Sequence, residues 1–320
     1  MNWTIFQPLL DKAKPNKTDA VKGGRPPLSN LMMFKVAILQ ELYGVANDSA
    51  EYQINDRLSW KRFLGLTLSD KAPDGTTIWL FREKLKDSGV YDDLFLLFNE
   101  TMEKLGVITH KGSIVDASFV DVPRQRNTRE ENKTIKEGGV PEAWETEENA
   151  HMLAQKDLDA AWAKKNEEVH YGYKDHVLCD MDSKMIVDYR VTAANVHDSQ
   201  VLMALMEEKY RALWADSAYT GIKTALWFEA NIPHIQLNIN EKGYRNNPLT
   251  CEQKENNREK SRIRARIEHV FGHISNSMGG MVIRCIGIER AECAIALKNL
   301  AYNLSRYVTL RRLNRAPSMA

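Results

Sequence analysis

The chain has 320 residues, of which 43% are hydrophobic, which is enough for one large globular domain or two ordinary ones. With 44 Lys and Arg against 43 Asp and Glu, its net charge of +1 excludes a globally basic or acidic protein. The four cysteines form no CxxC pair and no zinc spacing, so we interpret them as thiols of a reducing compartment. No signal-peptide pattern is present, and no apolar run approaches the roughly 20 residues that span a bilayer, so we expect a cytoplasmic protein.

The first 28 residues are polar and end in Gly23-Gly24-Arg25-Pro26-Pro27. This composition is typical of a linker. An Arg between Gly and Pro in an extended segment is also suited to entering a DNA minor groove, so Arg25 is a candidate DNA contact.

Helical periodicity follows, interrupted by Pro73-Asp74-Gly75 and Ser88-Gly89. We predict a small all-α domain over residues 1–108, which serves either packing and dimerisation or recognition of DNA ends. Its predicted helices run from Ser29 to Tyr43, from Asp48 or Ser49 to Trp60, from Thr76 to Lys86 and from Tyr91 to Leu105.

The pattern changes at residues 106–112, and Ser113–Val122 is predicted to be a strand because it is apolar and β-branched. Its unusual member is Asp116, which shares a face with Ile114, Ser118 and Val120. A buried carboxylate is costly without a partner, so Asp116 either has a cation or donor partner or faces solvent on an edge strand.

The remaining chain, 109–320, is predicted to be one α/β domain with a polar insertion at about 123–169 that contains a helix at Ala150–Lys165. Asn195–Ser199 opens a helix through Lys209, and Asp198 is better explained as its N-cap than as a ligand. The further predicted strands are His170–Met181, Met185–Thr192, Ala212–Asp216 and Ile232–Ile239.

Two further carboxylates stand at positions suited to chemistry. Asp216 ends a short apolar strand, where ligands bind in open α/β sheets, although it is also placed to cap the next helix. Glu268 lies at the margin of an apolar helical stripe and is expected to face inward. The basic residues Arg258, Arg262 and Arg266 are expected on the outer face of that helix.

The order of these elements is that of a ribonuclease-H-like mixed sheet of five strands with flanking helices. In that topology the strand of Asp116 lies beside the strand of Asp216, and the basic helix brings Glu268 to them. Three converging carboxylates repel unless a cation neutralises them. Mg²⁺ or Mn²⁺ is the natural cation, and two such ions stabilise both oxygens of an in-line phosphoryl displacement.

Several motifs resemble those of DDE transposases of bacterial insertion sequences, close to the insertion sequence five family. The helical part resembles that family in Gly24-Arg25-Pro26-Pro27, Asp56-Arg57-Leu58 and Pro73-Asp74-Gly75-Thr76-Thr77. The core resembles it in His170-Tyr171-Gly172-Tyr173-Lys174 with His176, in Ala194–Ser199 and in Asp216–Tyr219. In the related insertion sequence four pattern, Arg264 and Glu268 match, whereas Ser261 and Ser275 replace a Tyr and a Lys.

The resemblance implies that Asp116, Asp216 and Glu268 are catalytic and hold two Mg²⁺ or Mn²⁺ ions. It also implies hydrolysis at element ends to free a 3′-OH, strand transfer into target DNA, and a homodimer on DNA. DNA contacts are expected from the N-terminal domain and from a set of basic residues, namely Arg25, Lys174, His176, Arg258, Arg262, Arg264 and Arg266. The alternatives are a metal-dependent nuclease of the same fold and a DNA-binding protein that has lost catalysis.

Overall fold

A computed structural model of the chain describes residues 1–13, 28–123, 126–165 and 167–319. Arg25 therefore lies outside the described residues. The chain divides into two compact units: unit 1 comprises Met1–Val107, Ile274–Gly280 and Cys293–Ala320, and unit 2 comprises Ile108–His273 and Met281–Glu292. Residues 293–320, which are predicted as part of the catalytic domain, group with the N-terminal helices in unit 1.

Helices make up unit 1 and flank the sheet of unit 2. None of the helices in the described ranges is both long enough and apolar enough to cross a membrane. Their bounds are α1 (Gln7–Lys12), α2 (Asn30–Tyr43), α3 (Asn47–Asp56), α4 (Leu58–Leu64), α5 (Gly75–Ser88), α6 (Val90–Lys104), α7 (Arg129–Lys136), α8 (Ala150–Leu153), α9 (Ile222–Asn231), α10 (Cys251–Arg264), α11 (Glu268–Ser277) and α12 (Ile288–Arg312).

An aromatic cluster forms the core of unit 1. The ring of Phe6 lies 5.1 Å from that of Phe34 and 6.4 Å from that of Phe98, which in turn lies 6.3 Å from Tyr307 of α12. Burial of such rings is a main source of stability in a helical unit. Phe6 is fully buried, so the N-terminal segment that the sequence analysis describes as polar contributes a 3₁₀ turn and α1 to this core.

The predicted helix from residue 48 or 49 to Trp60 is two helices in the structure. Arg57 has extended backbone (φ −101°, ψ 114°), so it ends α3 and precedes α4. The other predicted helices of this unit lie within two residues of their observed bounds, and Asp74 caps α5 by accepting a hydrogen bond from the Thr77 amide at 2.7 Å.

A mixed sheet is the core of unit 2, and within the described residues it has six strands. They are β1 (Ser113–Asp121), β2 (Ala161–Lys165), β3 (Glu168–Asp180), β4 (Ile186–Ala193), β5 (Ala212–Ala215) and β6 (Gln236–Ile239). Their order is β2-β3-β1-β5-β6, with β4 also paired to β3. Strand β1 runs antiparallel to β3 and parallel to β5, and β5 runs parallel to β6. This confirms the ribonuclease-H-like α/β fold.

The sixth strand is β2, which replaces the end of the helix predicted at Ala150–Lys165. Only Ala150–Leu153 is helical there. Trp162 pairs with Tyr171 of β3, with ring centroids 4.9 Å apart, and its indole N–H donates to the Asn127 carbonyl at 2.7 Å. These cross-strand contacts outweigh the helix propensity of an Ala- and Lys-rich segment.

A buried carboxylate fixes the described part of the insertion to the rest of unit 2. Asp157 is 2% exposed and accepts hydrogen bonds from the Tyr173 hydroxyl at 2.8 Å and from the Gly287 amide at 3.2 Å. Burial and the neighbouring charge of Asp157 raise the pKa of Tyr173 far above its usual value, which keeps this hydroxyl a donor. Asp159 accepts from the Ile288 amide at the start of α12.

The predicted helix from Asn195–Ser199 through Lys209 is absent. Two 3₁₀ turns, Asp198–Gln200 and Leu202–Leu205, take its place. The cap of the first turn is His197, which accepts from the Ser199 amide, and the Asp198 carboxylate instead receives the Lys174 ammonium at 2.8 Å. A charge-assisted hydrogen bond is stronger than one to a neutral donor. Asp198 therefore pairs with Lys174, and His197 rather than Asp198 caps the turn.

Candidate active site

Asp116 lies in the middle of β1, where its carboxylate is mostly buried. Its Oδ1 accepts from the Ala117 amide at 2.8 Å and its Oδ2 accepts from Arg264 Nη1 at 3.0 Å. Burial raises the pKa of Asp116, and the nearby charge of Asp216 raises it further, whereas the Ala117 amide and Arg264 act in the opposite direction. Asp116 is therefore a buried carboxylate with a cationic partner, which was one of the two readings left open by the sequence.

Asp216 directly follows β5, beside the strand of Asp116. The β1–β5 register pairs Ser113 with Leu213 and Ile114 with Trp214, so Asp116 and Asp216 each stand two residues beyond the last pair. The Asp216 side chain accepts from the Ala218 amide at 2.8 Å, which caps the short turn Ser217–Tyr219. Asp216 can therefore both cap the turn and serve as a ligand, because the cap uses only one of its two carboxylate oxygens.

Glu268 is the first residue of α11, and its side chain is 64% exposed. The expected continuous helix is broken, since α10 ends at Arg264 and residues 265–267 form a turn. Glu268 therefore points toward solvent rather than inward. Its nearest charged partner is Arg264, whose Nη2 lies 3.9 Å from Glu268 Oε1.

Arg264 thus connects two of the three predicted catalytic carboxylates. It binds Asp116 across 148 residues of sequence and approaches Glu268 one helical turn further along. Within the described ranges, no group of three His, Cys, Asp or Glu side chains is close enough to hold a metal ion. The structure brings Asp116 and Asp216 together and leaves Glu268 on the outer side of Arg264.

The other basic residues of this segment differ in position. Arg258 and Arg262 are exposed on the outer face of α10, and Arg258 Nη1 lies 3.9 Å from Glu255, which is a loose ion pair. Arg266 follows the end of α10 and donates to the Met181 carbonyl at 3.0 Å. Arg258 and Arg262 are therefore available to a polyanion, whereas Arg266 already has a protein partner.

Lys174 and His176 lie on the sheet face opposite to Asp116. Strand pairing sets Phe119 against Lys174 and Ala117 against His176, and adjacent residues of a strand point to opposite faces. Lys174 is 12% exposed and donates to Asp198 Oδ1 and to the Val196 carbonyl, both at 2.8 Å. His176 is fully buried, so it cannot reach a phosphate in this arrangement, and the structure gives its predicted DNA contact no support.

Two features of this site are not predicted from the sequence. Arg264 is predicted only as a DNA contact, although its position four residues before Glu268 indicates a shared helical face. The second feature is the Tyr219 hydroxyl, which is buried and has no hydrogen-bond partner among the described residues. Burial raises the pKa of Tyr219, and so do three nearby carboxylates, those of Asp116, Asp198 and Asp216.

The arrangement has a definite chemical capacity. Paired Asp carboxylates are hard oxygen donors, which Mg²⁺ and Mn²⁺ prefer. The burial that raises the pKa of Asp116 favours a site in which a cation compensates its charge. Exposed arginines on α10, the helix whose last residue Arg264 binds Asp116, suit a substrate that carries phosphates.

Comparison with known families agrees with this chemistry. The model of the transposase DDE domain matches residues 108–304, and the model of a second transposase domain, a domain of otherwise unknown function, matches residues 1–84. Enzymes of the DDE family cleave DNA and transfer strands, and they generally use divalent metal ions.

Comparison with solved structures gives a likeness to a piggyBac transposase synaptic complex with hairpin DNA, determined by cryo-electron microscopy. The TM-score is 0.48 and the sequence identity 8%, over 96% of this chain and 75% of that chain. The DDE family model alone covers more than half of the sequence. The chain therefore belongs to the transposase DDE domain family, and it is a DNA transposase.

Proposed function

We propose that the chain hydrolyses the phosphodiester at the ends of an insertion sequence, frees a 3′-OH there and directs that hydroxyl onto target DNA. Within the DDE transposases, its motifs favour the insertion sequence five family. The observation that carries the proposal is the pair of carboxylates, Asp116 and Asp216, at one position of the sheet beside the half-buried cation Arg264.

Asp116 and Asp216 are the proposed ligands of two divalent ions. Each Asp uses one oxygen for a neighbouring backbone amide, at 2.8 Å in both cases. The other oxygen of Asp116 accepts from Arg264 at 3.0 Å, so a divalent ion would share that oxygen with the guanidinium or replace the guanidinium. Mg²⁺ or Mn²⁺, when bound, would supply activation of water and stabilisation of the attacking and leaving oxygens. Glu268 is the third proposed ligand, and its exposed side chain at the start of α11 has to turn toward the two Asp residues to serve as one.

Arg264 has a role of its own in this proposal. Its guanidinium neutralises Asp116, and its Nε is buried without a partner among the described residues. A guanidinium has five N–H donors, so Arg264 retains donors for a phosphate oxygen next to the carboxylates. We assign it the positioning of the scissile phosphate.

DNA is held outside this centre by exposed cations and by the helical domain. Arg258 and Arg262 meet backbone phosphates, and such contacts fix position rather than sequence. Lys174 acts through Asp198, to which it is bonded, rather than as a free phosphate contact. Recognition of the terminal repeats falls to residues 1–108 with Arg25, and concerted cutting of two ends requires at least a homodimer.

The test is cleavage of a labelled duplex that carries the end of the element encoding this chain. With Mg²⁺ we expect a nick at the element boundary, and with EDTA or with Asp116→Ala we expect none. Glu268→Gln should also abolish cleavage while DNA binding persists, because the substitution removes only a charged oxygen ligand. Glu259→Gln, at an exposed position of α10, is the matched control and should cleave as wild type does.

Three results would contradict the proposal or a part of it. Cleavage that survives Asp116→Ala would remove Asp116 from the site. Specific DNA binding by wild type without cleavage in Mg²⁺ or Mn²⁺ would favour a binding protein. Cleavage without joining to a target duplex would favour the nuclease alternative.

A further inference from the structure

The loop between β6 and α10, residues 240–250, begins beside the catalytic carboxylates. Strand β6 pairs with β5 so that Ile239 stands opposite Ala215, and Asn240 therefore stands next to Asp216. The Asn240 amide donates to the Ala215 carbonyl at 3.1 Å, and the Thr220 hydroxyl donates to the Asn240 carbonyl at 3.2 Å. The base of this loop is thus fixed at the edge of the sheet that carries Asp216.

Side chains of α10 hold the same loop from the other side. Asn257 bonds both backbone groups of Glu241, at 2.8 Å to the amide and 2.9 Å to the carbonyl. One turn later along α10, the Ser261 hydroxyl accepts a hydrogen bond from the side-chain amide of Asn240 (Nδ2) at 2.9 Å. The loop is therefore attached to the face of α10 that also carries Arg264.

The tip of the loop is a tight turn that presents a tyrosine. The backbone groups of Tyr244 and Asn247 bond each other in both directions at 3.0 Å. Gly243 lies so close to Leu249 that an added Cβ would be 3.2 Å from Leu249 Cγ. The backbone is thus held in place, while the Tyr244 residue is 64% exposed.

The charged residues that flank this ring in sequence are both cations. Lys242 and Arg245 are exposed, and the acidic residue of the loop, Glu241, lies at its base, where Asn257 holds its backbone. Neither cation has an ion pair with any residue that the structure describes. An exposed aromatic ring between two unpaired cations is the combination with which proteins bind unpaired nucleic acid, through base stacking and phosphate contacts.

We propose that Tyr244 stacks on an unpaired DNA base next to the cleaved bond, and that Lys242 and Arg245 contact the phosphates on either side of that base. This inference rests on the proposed function, since the loop begins at Asp216. In a continuous duplex both faces of a base are covered by its neighbours, so a tyrosine ring has access only to a base that has left the stack. The contact is tolerant of sequence, because every base has a π-face.

The experiment measures binding in EDTA, so that cleavage does not interfere. Two fluorescein-labelled duplexes are compared by anisotropy with the full-length chain: one fully paired, and one identical except for a single extra unpaired base. We expect wild type to bind the second duplex about tenfold more tightly. Tyr244→Ala should remove this preference, and Tyr244→Phe should retain it because the ring is kept.

Tyr52→Ala is the matched control. Tyr52 is a 65% exposed tyrosine of unit 1, where the terminal-repeat contacts are proposed, so any effect of its loss should be equal for the two duplexes and leave the preference unchanged. Replacing Lys242 and Arg245 together with Ala should lower the slope of log affinity against log salt by about 2. All four positions are exposed, so folding is checked simply by an unchanged melting temperature.

Equal affinity of wild type for the two duplexes would overturn the inference, and so would a preference that survives Tyr244→Ala. If wild type also cleaves element ends in Mg²⁺, the proposed function stands without it. If wild type binds neither duplex, the inference fails together with the proposed DNA contacts.

Discussion

His176 lies in unit 2 as a fully buried imidazole next to a charged pair. Its Nε2 lies 2.9 Å from the Thr192 hydroxyl, and its Nδ1 lies 3.9 Å from Asp198, which already binds Lys174. Burial lowers the pKa of His176 to about 4; Asp198 raises it and Lys174 lowers it. The ring is therefore neutral at pH 7.

The low pKa predicts that stability falls in acid. The unfolded chain takes up this proton near pH 6.5, whereas the folded chain resists it down to a pKa of about 4. The free energy of unfolding is therefore fully retained above pH 6.5 and falls as the pH drops toward 4, by up to about 1.4 kcal/mol per pH unit from this group. Urea denaturation between pH 4.5 and 7.5 measures the slope.

His176→Gln should flatten the pH dependence between 4.5 and 6.5, whereas His151→Gln, at an exposed position, should not. An unchanged slope in His176→Gln would show that His176 is not the residue responsible for the loss of stability in acid.

Among the structural elements, the end of α2 depends on two glycines that touch. Gly44 follows α2 with a φ of +62°, and Gly279 has a φ of +75°. A Cβ on Gly44 would lie 2.7 Å from Gly279 Cα, which is backbone and cannot rotate away. Both the left-handed conformation and the close approach therefore require glycine here.

Gly44→Ala is expected to lower the free energy of unfolding by roughly 2 kcal/mol or more, because left-handed strain and a backbone clash add. Gly65→Ala separates the two effects, since Gly65 also has a positive φ (+78°) but nothing within 4 Å of an added Cβ. Gly65→Ala should therefore lower the free energy of unfolding by only about 1 kcal/mol. Thermal denaturation of both variants is the measurement, and equal losses would refute the contribution of the clash.

Element order was the part of the fold that the sequence could predict. Alternating and β-branched runs located β1, β3, β4, β5 and β6, and their order implied that the strands of Asp116 and Asp216 are neighbours. Strand β2 was missed because Ala161–Lys165 favours a helix by composition, and only its pairing with β3 makes it a strand.

The candidate site was predictable to a smaller extent. Asp116 and Asp216 could be placed because Asp116 lies within a recognisable strand and Asp216 directly follows one. The direction of the Glu268 side chain could not be predicted, because it depends on the turn at residues 265–267. That segment is Ala-Arg-Ile and contains no Gly or Pro that would indicate a turn. The burial of His176 could not be predicted either, because a sequence motif shows the spacing of residues but does not show which face of the sheet is covered by other elements.

The whole molecule is nearly neutral, yet its cations are not evenly spread. The net charge is +1, whereas the outer face of α10 presents Arg258 and Arg262 to solvent. Binding of DNA through such a face releases counterions, so the affinity should depend on salt even though the overall charge is small.

Replacing Arg258 and Arg262 together with Ala should weaken binding to all DNA sequences alike and lower the salt slope by about 2, because two phosphate contacts are lost. Titrations of a labelled duplex at several salt concentrations measure this. The paired control is Lys133→Ala with Lys136→Ala on α7, which removes the same charge from exposed positions. An equal loss in the control would show a general effect of charge and not a contact of α10.

The hydrogen bonds of the buried Asp157 carboxylate bear on how the chain folds while it is being synthesised. One of its donors, the Gly287 amide, is 130 residues later in the chain, and in unit 1 the Asn99 side chain accepts from Asn303, 204 residues later. Each unit includes a segment from the last 50 residues of the chain, so neither unit can fold completely until that segment has been synthesised. A chain that stops before about residue 280 would lack the last segment of both units, so premature termination should yield protein that is degraded rather than a free N-terminal domain.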